Sequence, residues 1–487
     1  MNNPFPLAAR IAELAASRVL CVGDVMLDRF VYGAVSRISP EAPIPVFQIE
    51  REANMPGGAG NVVRNLTALG SAACFVTVVG DDPAGDELTR MIGGDKRVEP
   101  YLLVERDRPS TVKTRYIAEG QQLLRADAET TRPISAETAE TLVRVVGDTV
   151  EACDIVVLSD YAKGVLADNV VGAVIEAARA AGKPVVVDPK GGDFTRYRGA
   201  TVLTPNRREL VAATGMAADD DASVAAGATA LIERCGVRAA VVTRGRDGLT
   251  LVERDGAAEH LTAEAREVYD VSGAGDTLLA TLAAALGRGA ALAEAAQLAN
   301  SAAGIVVGKL GTAVVFADEL LHALHANEWS AIEARIATRA GAIEQVERWR
   351  HDGERVGFTN GCFDLLHPGH VSLLAQAKAA CDHLVVGLNS DASVTRLKGP
   401  DRPIQSEAAR SQVLASLASV DLVVVFEEDT PTALLEALRP DLLVKGADYT
   451  LDEVVGGDFV RSYGGRVMLA KLAPGYSTSD TIARIAR

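Results

Sequence analysis

The chain has 487 residues, of which 65 are Asp or Glu and 49 are Lys or Arg, so its formal net charge is −16. Hydrophobic residues make up 48% and charged residues 23%, a balance that is typical of globular proteins and argues against a disordered or fibrous chain. The electrostatic field of so acidic a protein repels nucleic acid as a whole. Any anionic ligand must therefore be held by a local cluster of backbone N–H groups, lysines or histidines.

The cysteines are scattered along the chain and form no Cys-x-x-Cys pair. This spacing argues against a zinc site or a disulfide framework and is typical of free thiols in a reducing cytoplasm. No apolar run approaches the roughly 20 residues that span a bilayer, and residues 1–18 lack the apolar core of a signal peptide. We therefore expect a cytoplasmic protein with neither a membrane nor a nucleic-acid partner.

Short apolar, β-branched runs alternate with Ala-rich helical stretches in the first part of the chain. We predict buried strands at Val19–Val22, Ala73–Val79, Ile155–Leu158, Pro184–Val187 and Ala239–Thr243. The alternation favours an α/β domain around a largely parallel sheet. Pro43–Glu50 and Val112–Ala118 have β-ribbon patterning, which indicates a small flap on that sheet. The Ala- and Leu-rich stretch Asp276–Gly308 predicts a pair of buried helices.

A strand end and a glycine-rich turn in this part carry polar residues. Asp24 follows the first strand and could accept hydrogen bonds from sugar hydroxyls, or it could be a simple turn carboxylate. Gly57 and Gly58, with Asn61 shortly after them, precede a predicted helix. Small residues at such a turn permit the close approach of a polyhydroxy ligand, although they also suit plain helix entry.

Two further polar motifs follow the later strands. Asn206 and Glu209 are three residues apart at the start of a helix, so they could order phosphates or the water ligands of Mg²⁺. A capping box is the alternative interpretation of the same spacing. Thr243, Gly245 and Gly248 form a loop after a strand and are typical of a nucleotide-phosphate contact.

The turn at residues 270–277 reads Asp-Val-Ser-Gly-Ala-Gly-Asp-Thr and precedes a long helix. The N–H groups of Gly273, Ala274 and Gly275 would form an anion cradle at the helix N-terminus. Asp276, in the first turn, could take a proton from an attacking hydroxyl while these amides hold a transferring phosphoryl group. An Asp that caps the helix after a glycine turn is the simpler interpretation.

These motifs, in this order, resemble those of the ribokinase (PfkB) family of sugar kinases. The resemblance implies a doubly wound α/β domain with a β-lid over the sugar. It also implies that Asp276 is the catalytic base and that residues 273–275 form the anion hole. Asn206 and Glu209 would bind Mg²⁺ and phosphate, with Glu209 reaching the metal through water, and the 243–248 loop would contact ATP.

The pattern changes near residue 318, where a polar helical stretch without a strand begins. We predict a kinase domain at 1–320, a helical linker at 321–352 and a second domain at 353–487. Strands of the second domain are expected at Arg355–Thr359, His383–Leu388, Asp421–Phe426 and Leu442–Lys445. Helices are expected at Gly369–Ala380, Ser406–Ser416 and Pro431–Leu438. This alternation favours a small, doubly wound, Rossmann-like domain.

A histidine pair opens the first helix of this second domain. His367 and His370 enclose a proline, which suits the first helical turn, and a glycine. Imidazoles at this position can donate to phosphate oxygens beside the positive end of the helix. Metal ligation is the alternative and needs a third ligand, for which only His383 lies nearby in the sequence.

The surroundings of the pair resemble the cytidylyltransferase-like nucleotidyltransferases, whose signature is His-x-Gly-His. The resemblance implies that His367 and His370 stabilise the α-phosphate and the departing pyrophosphate of a nucleotide, and that Lys445 adds positive charge. The remaining nucleotide-binding positions that it implies are Asn360, Gly361 and Phe363 after the first strand, and Ser477, Thr478 and Ser479 at the start of the last helix.

The order of the two halves resembles the family of bifunctional heptose kinase/adenylyltransferases of Gram-negative bacteria. The resemblance implies phosphorylation of a heptose 7-phosphate at O1, transfer of AMP to the 1-phosphate, and Mg²⁺ bound with ATP. The resemblance to the kinase family implies a homodimer through the β-lid. Arg37, Lys163 and Lys190 lie in other matching segments and are candidates for holding the 7-phosphate or ATP phosphates; each could equally be a surface charge.

Three alternatives remain open at this point. The C-terminal half could be a non-catalytic scaffold, or it could use CTP on the phosphate of a lipid head group. The chain could also be a ligand-sensing regulator, although it lacks a DNA-reading motif and carries a large negative charge.

Overall fold

The computed structural model describes residues 7–263, 271–309, 311–447 and 449–471, with only the backbone described at 327–331. The chain divides into two compact units, Met1–His325 (unit 1) and Ala326–Arg487 (unit 2). Among the helices of the described residues, none is both long enough and apolar enough to cross a membrane.

Unit 1 is an alternation of strands and helices. Its strands are β1 (Arg18–Gly23), β2 (Val25–Ile38), β3 (Pro45–Gly58), β4 (Ala72–Gly80), β5 (Val98–Glu105), β6 (Thr111–Ala118), β7 (Gln121–Ala128), β8 (Ile155–Ser159), β9 (Val185–Asp188), β10 (Val202–Leu203), β11 (Ala239–Thr243), β12 (Leu249–Glu253) and β13 (Glu259–Leu261). Its helices are α1 (Leu7–Leu14), α2 (Ala59–Ala68), α3 (Pro83–Gly93), α4 (Ala136–Thr149), α5 (Asp168–Ala180), α6 (Arg207–Thr214), α7 (Asp221–Cys235), α8 (Ala274–Gly287) and α9 (Leu292–Val307). Helix α10 (Ala317–Ala334) follows them.

The main sheet of unit 1 has nine strands within the described residues, in the order β13-β12-β11-β10-β9-β8-β1-β4-β5. Neighbouring strands from β11 to β5 are parallel, and β12 and β13 add an antiparallel edge. Separate clusters of buried side chains cover the two faces, which explains why the central strands are apolar throughout. The five predicted strands are confirmed as β1, β4, β8, β9 and β11, and α8 and α9 are the predicted pair of buried helices.

The predicted flap is a four-stranded sheet in the order β3-β2-β6-β7, hereafter the lid. One residue separates β1 from β2, so the lid leaves the main sheet at the carboxyl end of a central strand. The two predicted ribbon segments contribute to β3 and β6. Every residue of β7 is exposed. The lid therefore stands over one edge of the main sheet, where its inner residues can face a ligand.

Unit 2 contains the strands β14 (Ile336–Ala337), β15 (Val356–Gly361), β16 (His383–Asn389), β17 (Leu422–Phe426), β18 (Leu442–Gly446) and β19 (Arg466–Ala470). Its helices are α11 (Arg339–His351), α12 (Pro368–Ala379), α13 (Asp391–Lys398), α14 (Glu407–Ala415), α15 (Thr432–Leu438) and α16 (Gly457–Ser462). Within the described residues the six strands form a parallel sheet in the order β14-β17-β16-β15-β18-β19. The four predicted strands are confirmed, whereas β14, β19, α13 and α16 were not predicted.

Part of the predicted linker belongs to the core of unit 2. Strand β14 pairs with β17, and Ala342 and Val346 of α11 are buried against the sheet. The Trp349 ring stacks on His383 with 4.1 Å between ring centroids. These apolar positions recur at four- and seven-residue intervals among charged residues, which is the spacing of one helix face. The expectation of a helical stretch without a strand is therefore wrong at 336–337.

This packing predicts that Trp349→Ala lowers the free energy of unfolding of unit 2 by about 2 kcal/mol, because it removes a large apolar contact from a partly buried position. Urea denaturation followed by circular dichroism measures the loss. His351→Ala, at an exposed position on the same helix, is the matched control and should change stability by less than about 0.5 kcal/mol. Equal stability of the two variants would contradict the assignment of α11 to unit 2.

Candidate functional site

Three neighbouring parallel strands of unit 1, β1, β8 and β9, end at one edge of the sheet, and a polar residue lies at each end. Asp24 comes directly after β1, Tyr161 lies two residues beyond β8, and Asp188 is the last residue of β9. The amino end of α8 reaches the same edge, because the Tyr161 hydroxyl donates to Asp276 in the first turn of that helix. Carboxyl ends of parallel strands form the ligand cleft of open α/β sheets, so this edge is the candidate site of unit 1.

Asp276 has the environment of an acid–base group. The residue is 5% exposed; its Oδ1 accepts from the Tyr161 hydroxyl at 2.5 Å and its Oδ2 from Asn61 Nδ2 at 2.8 Å. Burial raises the pKa of Asp276 to about 6, and the two hydrogen bonds act in the opposite direction. A carboxylate whose pKa lies near neutrality can take up a proton during a reaction and release it afterwards.

The predicted anion hole lies at the start of α8. Gly273 precedes the helix with φ of 83°, the left-handed conformation that favours glycine, and a Cβ atom there would lie 2.9 Å from Asn61 Nδ2. N–H groups in the first turn have no acceptor within the helix, and the dipole makes that end positive. The amides of Ala274 and Gly275 therefore suit an anion, and the role remains a prediction. Asp270 lies outside the described residues.

The other glycine turn joins the lid to α2. Gly57 and Gly58 end β3, and Asn61 lies in the first turn of α2. A Cβ atom on Gly57 would lie 2.1 Å from Asp28 Oδ2, so only glycine lets this carboxylate approach the turn. Asn61, assigned to the sugar by its sequence position, donates its amide N–H to Asp276 instead. The turn thus connects the lid, the base and a second carboxylate.

Charged groups that no sequence motif had indicated lie beside this turn. Asp28 on β2 is buried, and its Oδ1 accepts from Arg115 Nη1 of β6 at 2.6 Å. Arg64 on α2 donates to Asn61 Oδ1 at 3.1 Å. The available signal was an Asp inside the apolar stretch that becomes β2, because a buried carboxylate requires a partner.

Asp24 is engaged with the backbone of the next loop. Its carboxylate accepts from the N–H groups of Tyr161, Lys163 and Val165 at 2.9–3.0 Å. Burial nevertheless raises the pKa of Asp24. The Lys163 ammonium pairs with Glu129 at 2.7 Å. This geometry favours the turn-carboxylate interpretation of Asp24 over a direct sugar contact.

Asn206 and Glu209 form the capping box that the sequence left open as an alternative. Asn206 Oδ1 accepts from the Glu209 N–H at 3.0 Å, and Glu209 Oε2 accepts from the Asn206 N–H at 2.9 Å. The second carboxylate oxygen of Glu209 accepts from Lys190 Nζ at 2.7 Å. One carboxylate oxygen of Glu209 therefore caps helix α6, and the other lies at the cleft beside the Lys190 ammonium.

Asp188, which the sequence analysis did not identify, gives the cleft a further carboxylate. Burial raises the pKa of Asp188 well above its usual value, and the charges of Asp276 and Glu209 raise it further. A divalent cation would relieve this repulsion, so the oxygens fit Mg²⁺. In the described part of the chain no three His, Cys, Asp or Glu side chains are arranged to hold a metal. This donor set suits a cation whose remaining ligands are phosphates and waters.

The predicted nucleotide loop adjoins the capping box. Thr243, the last residue of β11, forms a β-bridge with Asn206. Gly245 and Gly248 both have positive φ, and the Arg244 N–H donates to the Gly248 carbonyl at 2.8 Å to close the loop. The predicted nucleotide contacts are therefore contiguous in space.

Arg37 does not reach this edge. It is exposed on β2, nine residues beyond Asp28, which corresponds to about 30 Å along a strand. A basic residue of the lid that the sequence analysis missed, Lys113, lies opposite Asp28 in the β2–β6 pairing and is partly buried. Lys113 is therefore better placed than Arg37 for a ligand in the cleft.

The histidine pair of unit 2 lies where β15 gives way to α12. His367 is the N-cap, and its Nδ1 accepts from the His370 N–H at 3.4 Å. The two rings stack with 3.8 Å between centroids. Burial lowers the pKa of His370 to about 4, with a further lowering from His367, and burial also lowers the pKa of His367. In the ligand-free protein the pair is therefore neutral at pH 7.

Further predicted nucleotide-binding positions of unit 2 surround this pair. Lys445 on β18 donates to the Asn360 carbonyl at 2.9 Å. Within the described residues the buried Asn360 Oδ1 has no hydrogen-bond partner. Gly361 ends β15, and the Phe363 ring lies 5.0 Å from the His370 ring. The predicted contacts Ser477, Thr478 and Ser479 lie outside the described residues.

Two buried charges that the sequence analysis missed hold the loops of this site. Asp364 accepts from the backbone N–H groups of residues 404 and 405 and from Arg402. Arg410, whose side chain is fully buried, donates to the carbonyls of Cys362 and Asn389 at 2.6 and 2.9 Å. The histidine loop and the end of β16 are thus held by a single guanidinium.

Comparison with known families agrees with this two-site geometry. Residues 16–318 match the pfkB family of carbohydrate kinases, and residues 358–484 match the cytidylyltransferase-like family. The unit 1 fold is similar to that of Arabidopsis thaliana ribokinase complexed with ribose and ATP, with a TM-score of 0.52 at 22% identity over 63% of this chain and 98% of that one. It is also similar to Escherichia coli phosphofructokinase-2 with fructose-6-phosphate, with a TM-score of 0.55 at 19% identity over 64% and 99%. At this identity the likeness shows the fold only, and the expected lidded α/β architecture is confirmed.

Curated relatives match the chain over its whole length. The bifunctional protein HldE of Paramagnetospirillum magneticum is 60% identical over 485 residues, covering 100% of this chain and 99% of the relative. The protein of the same name from Rhodospirillum rubrum is 58% identical, with coverages of 99% and 98%. The similarity therefore includes both units.

Proposed function

The chain belongs to the family of bifunctional HldE proteins, and on that premise we propose how its two clefts carry out two steps of ADP-heptose synthesis. Unit 1 is a sugar kinase that phosphorylates D-glycero-β-D-manno-heptose 7-phosphate at O1 with ATP. Unit 2 is a nucleotidyltransferase that transfers AMP from ATP to D-glycero-β-D-manno-heptose 1-phosphate and releases pyrophosphate.

In the kinase step, the O1 hydroxyl of the sugar attacks the γ-phosphorus of ATP, and the bond from that phosphorus to the bridging oxygen of ADP breaks. Asp276 takes the hydroxyl proton, while the amides of residues 273–275 hold the transferring phosphoryl group. The buried carboxylate with its raised pKa, beside the N-terminus of α8, is the observation that carries this assignment. Asp188 and Glu209 would hold the Mg²⁺ that accompanies ATP, and the cation would neutralise phosphate charge.

In the transferase step, a phosphate oxygen of the sugar 1-phosphate attacks the α-phosphorus of ATP, and the bond to pyrophosphate breaks. The attacking oxygen is already anionic, so this step needs no base and rests on charge stabilisation. His367 and His370 would donate N–H groups to the phosphates, and Lys445 would supply a positive charge. The predicted 477–479 contacts would bind the outer phosphates.

A direct test incubates the purified chain with ATP-Mg²⁺ and a panel of phosphorylated sugars, and identifies the products by mass. A parallel reaction with CTP, followed by pyrophosphate release, separates an adenylyltransferase from a CTP-using enzyme. Absence of pyrophosphate with either nucleotide would favour the non-catalytic alternative for unit 2. We expect turnover with the heptose phosphates and ATP.

The domain organisation and the assembly are part of the same proposal. We assign the kinase to residues 1–320 and the transferase to 353–487, and we add 335–351 to the transferase because α11 packs in its core. We expect a homodimer through the lid, whose exposed apolar residues include Ile38, Ile44 and Leu124. We place the enzyme in the cytoplasm, where ATP is made; its free cysteines are compatible with this location.

We also propose that Lys113 and Lys163 hold the 7-phosphate of the sugar. Arg115, two residues along β6 from Lys113, contacts Asp28, and alternate residues of a strand share one face, so Lys113 faces the cleft. Burial lowers the pKa of Lys113, the charges of Asp127 and Glu129 raise it, and the charges of Lys163 and Arg125 lower it. A phosphate dianion would accept charge-assisted hydrogen bonds from Lys113 and Lys163, and at Lys163 it would compete with Glu129.

Lys113→Ala is therefore expected to raise the KM for heptose 7-phosphate about tenfold, because the loss of one charge-assisted hydrogen bond weakens binding by about that factor. The same substitution should change kcat by less than about threefold. Initial rates at varied sugar concentration measure both constants. Arg37→Ala is the control, because this exposed arginine of the same sheet lies far from the cleft, and its KM should remain at the wild-type value. A raised KM for Arg37→Ala with none for Lys113→Ala would contradict the assignment.

A further inference from the structure

The loop after β8 carries a tyrosine to which the proposed chemistry gives no role. The Tyr161 hydroxyl lies 2.5 Å from Asp276 Oδ1, and the two residues are 115 positions apart in the chain. Burial raises the pKa of Tyr161 well above its usual value, as do the nearby carboxylates, so its hydroxyl keeps its proton. Tyr161 therefore acts as a permanent donor to Asp276.

The backbone around Tyr161 is held by several independent contacts. Asp24 accepts three N–H groups from residues 161–165. Ala162 has φ of 54°, which is unfavourable for alanine, and its N–H donates to Asp160 Oδ1 at 2.7 Å. The other oxygen of Asp160 accepts from the Tyr197 hydroxyl at 2.7 Å. A strained residue persists only where its surroundings determine its conformation, and such residues concentrate at functional sites.

We infer that Tyr161 is a positioning residue for the kinase reaction, held by the Asp24-anchored loop so that its hydroxyl orients the Asp276 carboxylate and favours the ionised form. This inference rests on the proposed role of Asp276 as the base. It also explains why Asp24 is buried at the cleft although its oxygens face the backbone.

Hydrogen bonds to Asp276 favour its ionised form more strongly than the charges around it do. Among the described residues, the titratable and charged groups that act on it are Tyr161 from the loop, Arg64 from α2, Asp28 from β2, Asp188 from β9 and Cys21 from β1. Burial raises the pKa of the Cys21 thiol, so this group stays neutral when Asp276 ionises, and the Mg²⁺ that accompanies ATP would compensate the charge of Asp188. The charge of Asp28 raises the pKa of Asp276 and that of Arg64 lowers it. In the part of the chain that the structure describes, the donors Tyr161 and Asn61 oppose the effect of burial on the pKa of Asp276 more strongly than Arg64 does, and Tyr161 has the largest opposing effect.

Tyr161→Phe tests the inference through the pH profile of kcat/KM for sugar phosphorylation. Asp276 must be ionised to accept a proton, so activity falls as the pH drops through its pKa. Loss of the donor raises that pKa, and the acid limb should move about one pH unit higher. At pH 6 the variant should be about fivefold to tenfold slower than wild type, with rates within about threefold above pH 8.

Tyr101→Phe is the matched control, because its hydroxyl also donates to a carboxylate, that of Glu99 at 2.6 Å, but on edge strand β5. Its acid limb should coincide with that of wild type. The midpoint of a limb does not depend on the fraction of folded enzyme, so partial misfolding cannot imitate the shift. Should Tyr161→Phe not fold, 3-fluorotyrosine at position 161, a stronger donor, should move the limb to lower pH.

An acid limb at the wild-type position in Tyr161→Phe would overturn the inference, as would a wild-type profile that is flat between pH 5 and 8. The proposed function has a separate test. If Asp276→Asn retains kinase activity, the assignment of the base fails. If Asp276→Asn is inactive while Tyr161→Phe leaves the limb unchanged, only the role of Tyr161 is lost.

Discussion

Asp276→Asn should reduce sugar phosphorylation about a thousandfold and leave adenylyl transfer to a supplied sugar 1-phosphate unchanged. The side-chain carboxamide of the variant cannot accept the O1 proton, whereas the backbone N–H groups at the start of α8 are unchanged. ADP formation in a coupled assay measures the first reaction, and pyrophosphate release measures the second. The wild-type kinase should also lose activity as the pH falls below about 6, because burial raises the pKa of Asp276 to that value and the protonated acid cannot act as a base.

Asp255→Asn provides the control for this substitution. Asp255 is an exposed carboxylate of unit 1, so its amide should have wild-type rates in both reactions. Comparable losses of both activities in Asp276→Asn would contradict two independent catalytic sites. Retained phosphorylation would remove Asp276 from the mechanism.

His370→Ala should have the complementary effect. Adenylyl transfer to supplied heptose 1-phosphate should fall by about a hundredfold to a thousandfold, and phosphorylation of heptose 7-phosphate should continue at the wild-type rate. Because burial lowers the pKa of His370 to about 4, its ring is neutral at pH 7 and contributes an N–H donor. Protonation of the His370 ring should therefore cause no loss of adenylyl transfer between pH 8 and pH 6.

His383→Ala is the matched histidine control in unit 2. His383 begins β16, at the amino edge of the sheet, and stacks on Trp349, whereas His370 lies beyond the carboxyl end of β15. The control can lose stability but should retain adenylyl transfer when assayed below its unfolding temperature. Normal nucleotide-sugar output from His370→Ala would remove the histidine pair from the proposed chemistry.

Local sequence was sufficient for the features that depend on neighbours along the chain. Glycine before Asp276 and proline after His367 determine where α8 and α12 begin, because these residues have special backbone preferences. The apolar runs of β1, β4, β8, β9 and β11 predicted the parallel core for a similar reason. The three-residue spacing of Asn206 and Glu209 also indicated a capping box, although the same spacing is compatible with binding of Mg²⁺ or phosphate.

Only the tertiary structure decided which distant groups meet at each cleft. Asn61 and Tyr161 reach Asp276 across 215 and 115 residues, and Asp28 enters the site because the lid folds back over the sheet. Arg37 shares β2 with Asp28, yet its distance along the strand removes it from the cleft. The physical reason is that hydrogen bonds and buried charges depend on strand order and register, which arise when remote segments pack together and leave no short-range pattern in the sequence.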